Sequence, residues 1–206
     1  MRICHVRLGG FRNFDQLEFQ PSGGINLIYG NNGQGKTNLL ESLYLLAQLK
    51  SFRPARPENL IGHGASAAQI RARVNSAGVE HHLQLLLTTG ERRLQVDGKK
   101  AQAADFLGLV KILLFAPEET GLVRGAPTGR RAFVDRGIFL IDTGYLQLAR
   151  QFRRCLLQRN TLLRSGRMSD REYDLWSRRL AESGADIRRK RLQYLEEIRP
   201  LLQQCY

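Results

Sequence analysis

The sequence predicts an α/β chain: a core with a helix set directly on a glycine loop and an antiparallel β meander, followed by a helical lobe. Three observations predict it. A short apolar run, Ile25 to Tyr29, feeds a glycine-rich loop, and a helical pattern starts directly after that loop. The stretch from Ile70 to Val96 alternates in the manner of strands and ends on an Asp97-Gly98 turn. Beyond Thr128 the apolar residues fall at helical spacing among many arginines. The expected division is therefore residues 1–128 for the core and 129–206 for the start of a basic helical lobe.

Taken in order, residues 2–8 alternate apolar and polar, as a strand with one covered face does, and Gly9-Gly10 should break it. Leu17 to Phe19 continues the alternation before Pro21 and Gly23-Gly24. Ile25 to Tyr29 reads as a buried strand ending at Gly30. From Gly35 to Leu49 the pattern is helical, with Leu39, Leu43 and Leu46 on one face. Ser51 to Pro57 is a basic, proline-containing loop. Ile70–Val74, His82–Thr88 and Arg92–Val96 are the strands of the meander, and Val110–Phe115 is a further apolar strand stopped by Pro117. Tyr145 to Leu163 is a helix ended by Gly166. Ser169-Asp170-Arg171-Glu172 is a capping box, with Ser169 as N-cap, opening a helix that runs towards Tyr206. Trp176, Leu180, Ile187, Tyr194 and Ile198 form its seam.

Charge narrows the function. The chain of 206 residues holds 32 Lys+Arg against 19 Asp+Glu, a net of +13. Arginine supplies 26 of those cations. A guanidinium meets phosphate oxygens through a planar fork and stacks on bases, so an arginine excess points to a polyanion, most simply nucleic acid. Residues 143–206 carry 14 basic and 7 acidic side chains, over half of the net charge. No run of 18 apolar residues exists to span a membrane as a helix, and charges in the first twenty residues leave no room for a secretory apolar region. Cys4, Cys155 and Cys205 match neither a zinc pattern nor a disulfide framework. The expectation is a reduced, cytoplasmic chain without a membrane partner.

The motif that carries chemistry is Gly30-Asn31-Asn32-Gly33-Gln34-Gly35-Lys36-Thr37, a G-x-x-x-x-G-K-[ST] P-loop. Average glycine usage makes a chance match in a chain this long a roughly 1% event. Glycines let the backbone curl with its N–H groups inward, and the helix N-terminus adds its dipole, so the loop cradles phosphates. Lys36 places a cation near the β and γ phosphates, and the Thr37 hydroxyl is a Mg²⁺ ligand candidate. Hydrolysis also needs an acid after a second apolar strand. Three segments offer one: Ile112–Phe115 leading to Glu118 and Glu119, Phe133-Val134-Asp135, and Ile138–Ile141 leading to Asp142. The first has Pro117 before its acids, and the other two lie in or beside helical pattern. All three read better as structural acids.

Further motifs carry a family resemblance. Gly10-Phe11-Arg12-Asn13-Phe14 resembles the opening of SMC-like ABC ATPase heads. The stretch from Gly30 to Glu41 resembles the Walker A of the RecF family, and Ser51-Phe52-Arg53 stands where that family has its SFR. Phe115-Ala116-Pro117-Glu118-Glu119, then Gly125-Ala126-Pro127, Arg130-Arg131, Phe133 and Asp135, continue the likeness. So do Gln158-Arg159-Asn160 and Asp174-Leu175-Trp176. Ala116 and Glu119 are mild departures, standing where the family usually has Ser and Asp. The resemblance covers essentially the whole chain. It also implies that the signature motif and Walker B strand follow the helical lobe, so the expectation is an N-terminal part of such a head, truncated before Walker B.

The resemblance implies a P-loop ABC/SMC-like ATPase head, with a mixed sheet around the Walker A helix, and ATP and Mg²⁺ as cofactors. Gly30, Asn31, Asn32, Gly33, Gln34, Gly35, Lys36 and Thr37 would hold the nucleotide, with Arg12 and Asn13 beside its phosphates or ribose. Glu118 and Glu119 would form a Q-loop-like joint. The catalytic acid stays unassigned. Arg150, Arg153, Arg154 and Arg159 are DNA-contact candidates on the helical lobe. The implied function is ATP-dependent DNA binding in replication and recombinational repair. It acts as an ATP-induced homodimer with recombination mediator partners, at gap junctions, helping recombinase loading and the SOS response. The family is a slow, DNA-stimulated ATPase, and this stretch is expected to bind ATP without hydrolysing it efficiently. The alternatives are an unrelated P-loop small-molecule kinase and a non-catalytic piece lacking the ATPase half.

Overall fold

The computed structural model describes residues 1–53, 56–115, 125–142, 144–166 and 169–205. The chain forms two units, Met1–Leu114 and Phe115–Tyr206.

The first unit is built on a sheet of six strands. They are β1 (Arg2–Phe11), β2 (Phe14–Phe19), β3 (Ala68–Ser76), β4 (Val79–Leu87), β5 (Arg92–Val96) and β6 (Lys99–Lys100). Their order in space is β2-β1-β3-β4-β5-β6, and every pairing is antiparallel. Period-2 alternation sorts the side chains by face. Val6, Leu8, Ile70, Ala72, Val74, Leu83, Leu85 and Leu94 are buried, while Arg7, Arg71, Arg73 and their cross-strand neighbours point the other way. The strand does not stop at Gly9-Gly10. Gly10 turns left-handed (φ +56°), and its carbonyl accepts a bond from the Gly62 N–H at 2.7 Å, so pairing continues to Phe11. Asp97 and Gly98, with φ of +52° and +76°, make the tight turn between β5 and β6.

Helix α1 (Lys36–Gln48) follows the glycine loop and buries Leu39, Tyr44, Leu45 and Leu46. It ends at Leu49 in a left-handed cap, whose carbonyl accepts from Arg92 of β5 at 2.5 Å. A 3₁₀ turn at Pro57–Leu60 and the short helix α2 (Ala103–Phe106) complete the unit.

The structure differs from the sequence expectation at two apolar runs. Ile25 to Tyr29 pairs with no strand among the described residues, with Ile25 97%, Leu27 81% and Tyr29 86% exposed. Val110–Phe115 forms no strand either; Val110 is buried, while Leu113 and Phe115 are exposed. Both runs have strand composition, but a strand requires a neighbour to accept its hydrogen bonds, and none of the described residues supplies one. For the same reason the sheet is antiparallel throughout the described residues rather than mixed.

The second unit is helical: α3 (Pro127–Ile141), α4 (Tyr145–Ser165) and α5 (Asp170–Gln204). Pro127 occupies the first helical turn, where its missing N–H costs nothing. Gly166 caps α4 in the left-handed region, and Ser169 and Glu172 form the capping box expected of α5. Ile138, Tyr145 and Ile187 make the buried centre, with Val134, Leu148, Phe152 and Tyr194 packed round it. A single carboxylate ties the three helices. Asp135 of α3 accepts from the Tyr145 hydroxyl at 2.6 Å and, through both oxygens, from Arg191 of α5 at 2.7 and 2.8 Å. Burial, reinforced by the Asp135 bond, pushes the Tyr145 phenol up to about 12. Asp142, just past α3, is held by Lys190 at 2.8 Å. Asp135, within α3, and Asp142, at its C-cap, are thus both engaged in ion pairs.

Candidate nucleotide-binding site

The glycine loop reaches α1 through three left-handed glycines: Gly30 (φ +143°), Gly33 (φ +84°) and Gly35 (φ +98°). Gly35 is constrained twice. Its φ excludes most side chains, and a Cβ there would lie 2.5 Å from the Phe14 ring and 2.7 Å from the Asn13 carboxamide. The β1–β2 turn thus presses directly on the loop. Asn13 donates to the Gly33 carbonyl at 3.5 Å. Lys36 folds back over the loop, its Nζ donating to the Gly30 and Asn31 carbonyls at 2.8 Å each. The ammonium is thereby tied to the loop's own carbonyls. Thr37 is exposed in the first turn of α1, and Asn31, Asn32 and Gln34 are exposed along the loop.

A buried polar cluster supports this loop from behind. Glu41, one turn into α1, is fully buried. Arg12 grips it with Nε and a terminal nitrogen at 2.9 and 2.7 Å, Ser51 donates to it at 2.5 Å, and Arg53 completes the ring. Burial alone would raise the Glu41 pKa, but the bonds from Arg12, Ser51 and Arg53 outweigh it and hold the carboxyl below its ordinary value. Arg53 also donates to Asn38 at 2.5 Å, and Asn38 donates to Asn13 at 2.7 Å. A continuous path therefore runs from Glu41 through Arg53, Asn38 and Asn13 to Gly33. Phe52 packs edge-on against Tyr44, 5.5 Å between ring centres, which fixes the Ser51–Arg53 segment.

The expected site residues separate accordingly. Gly30 to Thr37 and Asn13 come together around the loop. Arg12 has its guanidinium on Glu41 and on the Asn59 carbonyl at 2.8 Å, with φ +56° at its own backbone. In this arrangement it faces the buried carboxylate rather than the loop's concave side. Glu118 and Glu119 lie outside the described residues. Glu41, Asn38, Ser51 and Arg53 were not among the candidate residues. The signal for them was a lone carboxylate inside the apolar run Leu39–Ala47, together with two arginine motifs available to neutralise it.

The DNA-contact candidates lie on α4. Arg150 and Arg154 line a groove of about 770 Å³ against Trp176, Arg179, Glu182 and Asp186 of α5. Arg150, Arg153 and Arg154 are exposed. Arg159 is committed within the unit, donating to Ser177 at 3.1 Å and to the Tyr173 hydroxyl at 3.0 Å while stacking on the Tyr173 ring.

The model of the RecF/RecN/SMC N terminal domain matches residues 2–119. The DNA replication and repair protein RecF of Geobacter sulfurreducens is 41% identical over the whole of this chain, and that of Geotalea daltonii 36%. The chain spans 56% of the length of each of these curated relatives. Among solved structures, the recombination mediator protein RecF-ATPrS in the RecFOR pathway superposes with a TM-score of 0.88 at 28% identity, covering 96% of this chain and 55% of that one. The corresponding RecF-ATP structure gives 0.86 at 29%, over 95% and 54%. With its family model covering more than half of the residues, and its α/β head matching those of the RecF structures, the chain belongs to the RecF/RecN/SMC N-terminal domain family.

Proposed function

We propose that the chain is the ATP-binding part of a RecF-type DNA replication and repair protein, acting in the cytoplasm. The observation that carries this reading is the loop itself. Three left-handed glycines, a lysine tied to the loop's own carbonyls and the start of α1 make a cradle shaped for polyphosphate. The two RecF structures it superposes on are those of RecF-ATP and RecF-ATPrS, which supports ATP as the nucleotide. Gly30 to Gly35 would take the phosphates through backbone N–H groups, Lys36 would leave its two carbonyls for them, and Thr37 would ligate Mg²⁺. Asn13 is placed to sense the loop, and Arg12 to brace it.

In the whole protein, nucleotide binding would favour a homodimer that binds DNA and works with recombination mediators in recombinase loading and the SOS response. Arg150, Arg153 and Arg154 are the helical contacts we assign to DNA, whereas Arg159 braces α4 against α5. The chain alone would bind ATP and turn it over poorly, since Asp135 and Asp142 are already engaged in ion pairs within the helical unit. The test is calorimetric titration with Mg-ATP. Wild type binds, and Lys36→Ala weakens binding by roughly 2–5 kcal/mol, the cost of removing one partner from a hydrogen-bonded charge pair. Equal affinity in the two proteins would refute the assignment.

A further inference from the structure

The exposed face of the six-stranded sheet carries an arrangement that folding alone does not account for. Arg7 of β1 stands directly opposite Arg71 of β3. Like charges in facing positions of an antiparallel pair destabilise it. Arg7 has Glu18 as its partner on the β2 side, whereas Arg71 makes no hydrogen bond or ion pair among the described residues. One step along the strands, His5 faces Arg73, and Arg73 faces His82. The row through Arg7 and Arg71 continues across Gln84 and Gln95 to Lys100. All of these but Lys100 border a trough of about 610 Å³ open to solvent. Nearby carboxylates engage several of these side chains. Glu18 takes His5 at 2.5 Å and Arg7 at 3.2 Å, and Glu80 lies 3.8 Å from Arg73 and 3.7 Å from His82. Asp97 holds His81 and the backbone N–H of His82.

We propose that this sheet face is a second nucleic-acid surface of the chain, meeting the phosphate backbone of duplex DNA through Arg7, Arg71 and Arg73. The inference rests on the DNA-binding reading above and places a contact in the nucleotide-binding unit. Three features select this partner. The trough lining is dominated by Arg, His and Gln, the side-chain types that donate to phosphate oxygens. The exposed centre of the face lacks the apolar anchors that a protein partner would bury at the middle of its interface. Strands lie about 4.8 Å apart, so the row from Arg7 to Lys100 spans about 19 Å. That length matches five or six phosphates of one strand at about 3.4 Å of axis each.

The test is fluorescence anisotropy of the full chain on a labelled duplex over a salt series. Arg71→Gln is the decisive variant, because no carboxylate loses its partner; Arg7→Gln/Arg71→Gln/Arg73→Gln measures the whole row. Urea unfolding confirms that each remains folded. Arg71→Gln should weaken binding several-fold at low salt. The triple variant should weaken it at least tenfold and make the slope of log K against log salt shallower by about 2 to 3. If wild type binds no duplex, the DNA-binding reading and this inference fall together. If wild type binds and the folded Arg71→Gln and triple variants bind as tightly, this inference alone is overturned. Polyglutamate displacing the duplex at equal charge concentration would overturn the nucleic-acid assignment in favour of an acidic protein.

Discussion

Glu41 shows how much one residue can organise. A fully buried carboxylate is tolerated only when its charge is met, and here two guanidiniums and a hydroxyl meet it. Removing that charge strands Arg12 and Arg53 against each other. Glu41→Gln should therefore cost about 3–5 kcal/mol in urea unfolding. It should also lower ATP affinity, because Arg53 releases Asn38 and with it the Asn13 hold on Gly33. The pH dependence has a definite sign. The folded carboxyl is held below its ordinary value, so its stabilisation is complete above about pH 4.3 and is lost as pH falls through the folded value. Unfolding curves in acid should show this loss in the wild type and not in Glu41→Gln. The sequence displays Glu41 only as one charge in an apolar run. Its partners come from 29 positions before it and from 10 and 12 after it, and no local pattern pairs them.

Between elements, hydrogen-bond partners decide what composition leaves open. The loop helix, the meander and the capped helices were legible because each is stabilised by neighbours close in sequence: a left-handed glycine, a two-residue turn, a serine three residues from a glutamate. Ile25–Tyr29 and Val110–Phe115 were misread as strands, since a strand is completed by residues far along the chain. The helical unit contains an element-scale test of its own. Asp135 joins α3 to α4 through Tyr145 and to α5 through Arg191, and its side chain is only one-third exposed. Asp135→Ala should cost about 1.5–3 kcal/mol by chemical denaturation, the range for hydrogen bonds to a charged group. Tyr145→Phe removes one of those bonds and should cost less. Equal stability of Asp135→Ala and wild type would show that apolar packing at Ile138 and Ile187 suffices alone.

For the molecule as a whole, charge sets the expected behaviour. With a net of +13 carried mainly by arginine, contacts to nucleic acid should go to phosphates and depend weakly on sequence. Neutralising about five phosphates gives a slope of log K against log salt of about −4 to −5 on duplex DNA. Anisotropy over a salt series measures it, and charge reversal of Arg150, Arg153 and Arg154 together should flatten it. An unchanged slope would remove α4 from the contact surface. By itself the sequence determined the α/β class, the phosphate loop, the helical lobe and the basic character, because backbone conformations, helix caps and net charge are written in neighbouring residues or in simple sums. Tertiary structure alone decided which charges are spent inside the fold and which face solvent. It turned Arg12 onto Glu41 and Arg159 onto Tyr173, and it set Arg71 opposite Arg7 while giving Glu18 to Arg7 rather than to Arg71. A charge acts through what lies within a few ångströms of it, and those neighbours are brought together only when the chain folds.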